Sequence, residues 1–553
     1  MTLPLGRGPG GGVTPPFHLD RATFGARSMP RNRPAVSQVR PTRPANRRRL
    51  MVGRDKPEEP VATSHGLSKS RVCSGLQCHK KLWWEVHDED LPERDAATEF
   101  ILNQGREVGE LARNHAPGGV LIDFPHDAYL ERVRATRAAL RHGTRRIYEA
   151  SFLAEGVFCS IDILEREGPR FTAVEVKSST KVKPEHIGDV AVQVHVARRA
   201  GVNVTRAEVM HLNRACTHPD LSDLFVREDV SPRVEAFLLD LPPELAAQFA
   251  MLAGPLPEVA IGRHCFAPRD CPFLERCWAE APEHHVTSLY GIRSDAAWAL
   301  AGDGHETILD LPPSVRLSAV AARQVRAVRS DALIVERGLG AALAKLDAPL
   351  AYLDFETVGP AVPVWPGCHP YTAVPVQFSC HVQDRRGGVA HRSWLAEGPG
   401  DPRPALAAAL VAACRGAKSV LMYTRYERAR IRDLADAVPA LADALRDLDG
   451  RLVDLAAVVR SHVYHPDFGG SFSIKDVLPA LVPELSYGGL AINDGRWASA
   501  ELYRLLLKGD SMTPEERATL RADLLEYCKM DTWAMVKLLE RLRELAGNGG
   551  ARG

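Results

Sequence analysis

Apolar residues recur at helical spacing in GREVGELARNHA (105–116) and LERVRATRAALRHG (130–143). They alternate with polar residues in RRIYEASFLAEG, VFCSIDILERE and FTAVEVKSS, between 145 and 179. A period near 3.6 puts apolar groups on one helix face, and strict alternation puts them on one face of a strand. The pattern predicts two helices, a hairpin-like strand set and a further helix over DVAVQVHVARRAG (189–201). This is α/β organisation from about His65 to Tyr290. A second α/β unit begins near Leu350, where APLAYLDFET and VPVQFSCHV read as neighbouring strands joined by the Pro/Gly-rich loop GPAVPVWPGCHPY. KSVLMY is a further strand, and helices follow it.

Between these units, LYGIRSDAAWALAGDGHETILDL (289–311) has the rhythm of helix, glycine turn and helix. Helix-hairpin-helix elements that bind phosphates through backbone N–H groups share this rhythm, and so do packing linkers. Residues 1–62 are rich in Pro, Gly and Arg, RPTRPANRRR most of all, and lack the apolar residues for a core. They are expected to be a disordered basic tail, either a nucleic-acid arm or an unselected extension ahead of a start near Met51. The expected division is therefore 1–62 tail, 63–290 first unit, 291–345 helical linker, 346–545 second unit and 546–553 disordered tail.

Composition changes this picture little. The 553 residues carry a net charge of +1, so any nucleic-acid surface must be a local basic groove. No apolar run reaches the ~18–20 residues that span a bilayer, and the first residues lack a secretory pattern, which points to the cytoplasm and away from membranes. No Gly-rich loop ending in Gly-Lys-Ser/Thr is present, which excludes a P-loop motor. Eleven cysteines in a cytoplasmic chain point to metal ligation before disulfides.

Three constellations carry chemistry. In the first, Asp162 lies in one strand and Glu175 and Lys177 share a face of the next. Two carboxylates can hold Mg2+ or Mn2+, and a nearby lysine can orient water or stabilise an anion. Asp189 and Gln193 follow on a helix, and Glu149 is an outlying carboxylate better read as solvated. This order resembles the RecB branch of the PD-(D/E)XK nucleases. The resemblance implies a restriction-endonuclease-like fold with Asp162 and Glu175 as metal ligands and Lys177 and Gln193 as catalytic residues. Two positions depart from that pattern: Gly109 stands where relatives carry a metal-binding histidine, and Ala197 where they carry a tyrosine.

The second constellation is Cys265-x5-Cys271-x5-Cys277, with Cys78 far upstream. Four thiolates can hold a 4Fe-4S cluster or Zn2+. One cysteine before the core and three after it resembles the iron–sulfur staple of RecB-like nucleases, and Cys73 is an alternative first ligand. His284 and His285 adjoin the cysteines, and Trp83 and Trp84 are either base-stacking or core residues.

In the third, Asp354 and Glu356 end an apolar strand, and Tyr527 and Asp531 share a helix face. Glu427 begins a helix between them, with Asp454 as its rival and Thr424 just upstream. This order resembles the DnaQ-like DEDD 3′–5′ exonucleases. It implies an RNase H-like fold, Asp354, Glu356, Glu427 and Asp531 as ligands of two divalent ions, and Tyr527 as the residue that orients the attacking water. His369 and His381 are read as structural. The wider text, from LDFET to YCKMDT, resembles a bacterial family catalogued as a domain of unknown function. That family joins a RecB-like module to a DnaQ-like one. The implied activity is metal-dependent hydrolysis of nucleic acid, of DNA before RNA. One live exonuclease with a degenerate gripping module, or a non-catalytic scaffold, are the alternatives.

Overall fold

The computed structural model of the chain describes residues 66–549, apart from 89, 93–94, 486–488 and 493. The expected basic tail, 1–62, lies outside the described residues.

The chain is mixed α/β, built on two main sheets. The first follows the order β2-β3-β4-β5-β6-β7: Val120–Leu121, Arg146–Ala154, Val157–Glu167, Arg170–Lys177, Val204–Leu212 and Phe225–Asp229, with β1, Leu67–Ser68, alongside the start of β4. Helices α1 (Lys69–Gln77), α2 (His79–His87), α3 (Ala96–His115) and α4 (Tyr129–Arg141) precede β3, apart from the short β2. Helix α5 (Pro184–Arg199) crosses from β5 to its parallel neighbour β6. Nearly all of its central turns are buried, in keeping with the segment VAVQVHVA, apolar apart from Gln193 and His195. Every helix and strand that the periodicity placed between 105 and 201 is present, and α3 begins earlier, at Ala96.

The second sheet has the order β11-β10-β9-β12-β13: Val389–Leu395, Val374–Gln383, Leu350–Val358, Ser419–Met422 and Leu452–Asp454. Strand β10 is antiparallel to β9 and β11, while β12 runs parallel to β9 and β13. The helix Pro514–Gly549 packs across β9 and β10. It runs into the segment 546–553 that composition marks as a tail.

Segment 291–345 is not a spacer. Strand β8 (Ile334–Val335) pairs with β14 (Val463–Tyr464), and Ala327, Leu339 and Leu343 join the core that surrounds Tyr352, Phe468 and Leu538. After the helix Ser294–Gly302 comes only a 3-10 turn, Ile308–Asp310, so the second helix of a helix-hairpin-helix does not form there. The two units also touch directly. The β9–β10 loop docks on the first unit: Ala361 packs with Val108, Leu212, Cys216 and Leu224, His218 N donates to Cys368 O at 3.0 Å, and Tyr371 OH donates to Ser178 O at 2.7 Å. A fragment beginning at 346 would lose both sets of contacts. No helix among the described residues is long and apolar enough to cross a membrane.

Candidate metal centres

The register of β4 against β5, with Ile163 opposite Val174, sets Asp162 opposite Glu175, so both point to the face that Lys177 shares. Asp162 Oδ2 accepts Val176 N–H at 2.6 Å. Glu175 accepts three side-chain donors. Its Oε1 accepts Lys69 Nζ and Lys177 Nζ, each at 2.8 Å, and its Oε2 accepts Gln193 Nε2 at 2.5 Å. Lys177 also pairs with Asp189, and Cys73 Sγ donates to Asp189 Oδ1 at 3.2 Å. Cys73 therefore belongs to this site and not to the cysteine cluster. Gln193 Oε1 is buried with no hydrogen-bond partner, an acceptor aimed at no donor of the protein. Burial opposes ionisation of Glu175, but Lys177 and Lys69 overcome it and hold the carboxyl well below the usual range. Burial and the Glu175 charge push Asp162 well above that range. Glu149 has φ 57 and drops out of the β3–β4 ladder, with Arg132 Nη2 at 3.3 Å. Its charge still reaches Asp162.

The second group is assembled from three elements. Asp354 and Glu356 lie two apart on β9. Glu427 is buried in the first turn of Tyr426–Ala437, reached from β12 through Thr424, whose Oγ1 donates to Glu427 Oε2 at 3.4 Å. Tyr527, Cys528 and Asp531 come from the C-terminal helix. Ligand atoms of Asp354, Glu356 and Cys528 lie within 4.8 Å of one another, and Cys528 Sγ donates to Asp354 Oδ2 at 3.5 Å. Tyr527 OH accepts Lys475 Nζ at 3.2 Å.

Here cations do not balance the charge. Burial, followed by Asp531, Glu356 and Glu427, pushes Asp354 well above the carboxylate range. Glu356 is raised by burial and Asp531, with Lys475 a partial offset. Burial pushes Glu427 up to about 7. Burial and the carboxylates also push the Cys528 thiol well above its ordinary value. Asp454 does not join it directly: it accepts Ala457 N–H at 2.8 Å as the cap of Leu455–His462. It acts on Glu427, whereas Glu427 acts on Asp354.

These shifts fix a pH dependence. Folded Glu427 titrates at about 7 against an ordinary 4.5, so between those values the folded state carries the extra proton. Its contribution to stability therefore falls as pH rises through that window. In chelator at about pH 8, Glu427→Gln is expected to be more stable than the parent by on the order of 2 kcal/mol, and near pH 4.5 the difference should vanish. Melting curves at the two pH values check this, and an equal offset at both would contradict it.

The cysteines lie where the two ends of the first unit meet. Gln77 Nε2 donates to His264 O and Arg269 O, both at 2.8 Å, and Trp84 packs on Phe273 with ring centroids 4.9 Å apart. Trp83 Nε1 donates to Gly254 O at 3.1 Å, so both tryptophans are packing residues. Burial raises Cys265, Cys271 and Cys277, Cys271 to about 11, and Cys78 is within electrostatic reach of all three. Among the described residues, Asp354, Glu356 and Cys528 are the one set of three or more potential ligands within a mutual 4.8 Å. The cluster thiols are thus spread wider than the roughly 3.8 Å between sulfurs on one Zn2+ with bonds of about 2.3 Å.

His381 Nδ1 meets Thr532 Oγ1 at 2.8 Å and stacks on His391, and His369 Nδ1 lies 3.0 Å from Cys216 O at the contact between units. His285 packs on Trp278. Lys69, Lys475 and Cys528 escape a sequence reading, although each lies within or beside a segment read for other reasons, SKSRVC, GSFSIKDVL and YCKMD.

A domain of unknown function, DUF2779, matches residues 351–473. The match takes in Asp354, Glu356 and Glu427 and ends before Tyr527 and Asp531. No curated protein matches the chain.

Proposed function

We propose that the chain is a metal-dependent nuclease in which a DnaQ-like 3′–5′ exonuclease site is joined to a RecB-like site stapled by an iron–sulfur cluster. The observation that carries this reading is the convergence of Asp354 and Glu356 from β9, Glu427 from the helix Tyr426–Ala437 and Asp531 from the C-terminal helix into one group, buried at Glu356 and Glu427 and half-buried at the aspartates, whose charges repel. Such a group is costly without cations and well suited to holding them. The strand order, with the first strand central and only the second antiparallel, supports an RNase H-like fold for this unit. In the first unit, α4, the antiparallel β3-β4-β5, α5 and the parallel β6 support the PD-(D/E)XK reading.

Divalent cations held by the four carboxylates would supply activated water and offset the charge of the phosphodiester. The chain's own residues do the rest. Tyr527, held by Lys475, orients the attacking water. Thr424 fixes the Glu427 carboxylate. In the first unit, Asp162 and Glu175 supply hard oxygen donors, and Lys177, held by Asp189, is placed to stabilise developing negative charge. Cys78, Cys265, Cys271 and Cys277 would hold a 4Fe-4S cluster, with Zn2+ the alternative. The substrate is DNA, with RNA the alternative.

A second reading is favoured by one observation: Glu175 is already neutralised by two lysines. On that reading the first unit grips the strand and the second cuts it. Cleavage that survives Glu356→Gln in the full chain measures the first site. Adding Lys177→Ala should abolish that remainder without lowering the melting temperature. A remainder unchanged by Lys177→Ala would leave the first unit as a gripping module.

A further inference from the structure

One of the two cations on Glu175 comes from outside the strands of the first site. Leu67 and Ser68 pair with Val157 and Phe158 at the start of β4, and Ser68 Oγ then caps α1 by accepting Arg71 N–H at 3.3 Å. Gly66 permits this approach, since a Cβ there would lie 1.8 Å from Gly156 O. These contacts fix Lys69, the first residue of α1, with its ammonium 2.8 Å from Glu175 Oε1. The same oxygen holds Lys177, so both lone pairs of Glu175 Oε1 are taken while Lys69 is in place, and Oε2 accepts Gln193. The two lysines are not equivalent. Lys177 has a second anchor in Asp189, whereas the hydrogen bond made by the Lys69 ammonium goes to Glu175. A cation taking Glu175 Oε1 would meet less resistance in displacing Lys69.

We infer that Lys69 is a built-in competitor of the divalent cation at the first site, keeping Glu175 closed until its ammonium is drawn away. This rests on the reading of Asp162 and Glu175 as metal ligands. It accounts for a carboxylate pair in which Glu175 takes both lysines by direct hydrogen bonds while Lys69 reaches Asp162 only by its charge.

The test is Mn2+ binding by the full chain, followed by calorimetry and by the free-ion resonance signal. Asp354→Asn and Asp531→Asn are introduced to silence the second site. In this background, Lys69→Gln is expected to bind Mn2+ about tenfold more tightly, the effect of one charge-assisted contact removed from the competitor. Lys69→Arg, which keeps the charge, should bind like the parent, and melting curves report whether each variant is folded. Equal affinity in the folded Lys69→Gln and Lys69→Arg chains would overturn the inference while leaving the metal site standing. No Mn2+ bound by any of them would remove the metal site itself, and the inference with it.

Discussion

Asp354→Asn in the full chain should remove both the 3′-trimming activity and most of the stabilisation that Mn2+ or Mg2+ confers. The aspartate sits on the central strand of its sheet, and burial with the charges of Asp531 and Glu356 pushes it well above the usual carboxylate range in the absence of metal. Cations that bind only the folded chain stabilise it by linkage, about 2.7 kcal/mol when present at 100 times their dissociation constant. For a unit of this size that amounts to a melting shift of roughly 5 °C or more. Replacing one carboxylate by an amide removes a ligand charge, relieves the repulsion and abolishes the need for the metal. The variant should therefore melt at or above the parent in chelator and fail to respond to Mn2+. Cleavage should fall by at least about 10³-fold, since the charge neutralisation supplied to the transition state is worth several kcal/mol. Tyr527→Phe provides the contrast: cleavage should slow while the metal-induced shift persists, because the phenol contacts Lys475 and water and not the cation.

Cys271→Ser should have the largest effect on folding. Anaerobically purified parent is expected to be brown with broad visible absorption, and the variant pale. Burial holds the Cys271 thiol at about 11, so without a metal group it stays protonated and contributes little. With one bound, binding energy becomes folding energy, on the order of 10 kcal/mol for a comparable structural metal site. That energy holds α1 and α2 to the segment containing Cys265 and Cys277. Differential scanning calorimetry should show the transition of the first unit lowered well below that of the second. Stoichiometric zinc in a colourless, equally stable parent would replace the iron–sulfur reading and keep the staple. A Cys271→Ser chain that melts like the parent would remove the staple altogether.

Local order was legible in the sequence where periodicity was strong. The strands around Asp162, Glu175 and Asp354 and the helices bearing Gln193 and Tyr527 follow from alternation and from 3.6-residue spacing, because burial of one face dictates both. The carboxylates and Lys177 were visible for the same reason, whereas the four cysteines were visible by residue type and spacing alone, since Cys78 caps α1 and Cys271 lies in a loop. Long-range neighbours were not. Lys69 meets Glu175 across 106 residues, and nothing local in LSKSRV indicates which strand it will face. The two-residue pairing of β8 with β14 is too short for any period, so segment 291–345 read as a linker although it completes the second core. The Glu427–Asp454 choice was likewise tertiary. Both acids flank apolar strands, and only the packed helix shows one capping and the other facing Asp354.

The most direct measurement uses single-stranded DNA and RNA labelled at either end, incubated with the full chain in Mn2+, in Mg2+ and in chelator. The expected result is immediate release of a 3′ label as mononucleotide and stepwise shortening of the 5′-labelled strand, both abolished by chelator and by Asp354→Asn. Strands that stay intact under every metal condition, or shortening that is indifferent to Asp354→Asn, would contradict the assignment of Asp354, Glu356, Glu427 and Asp531 as an exonuclease centre.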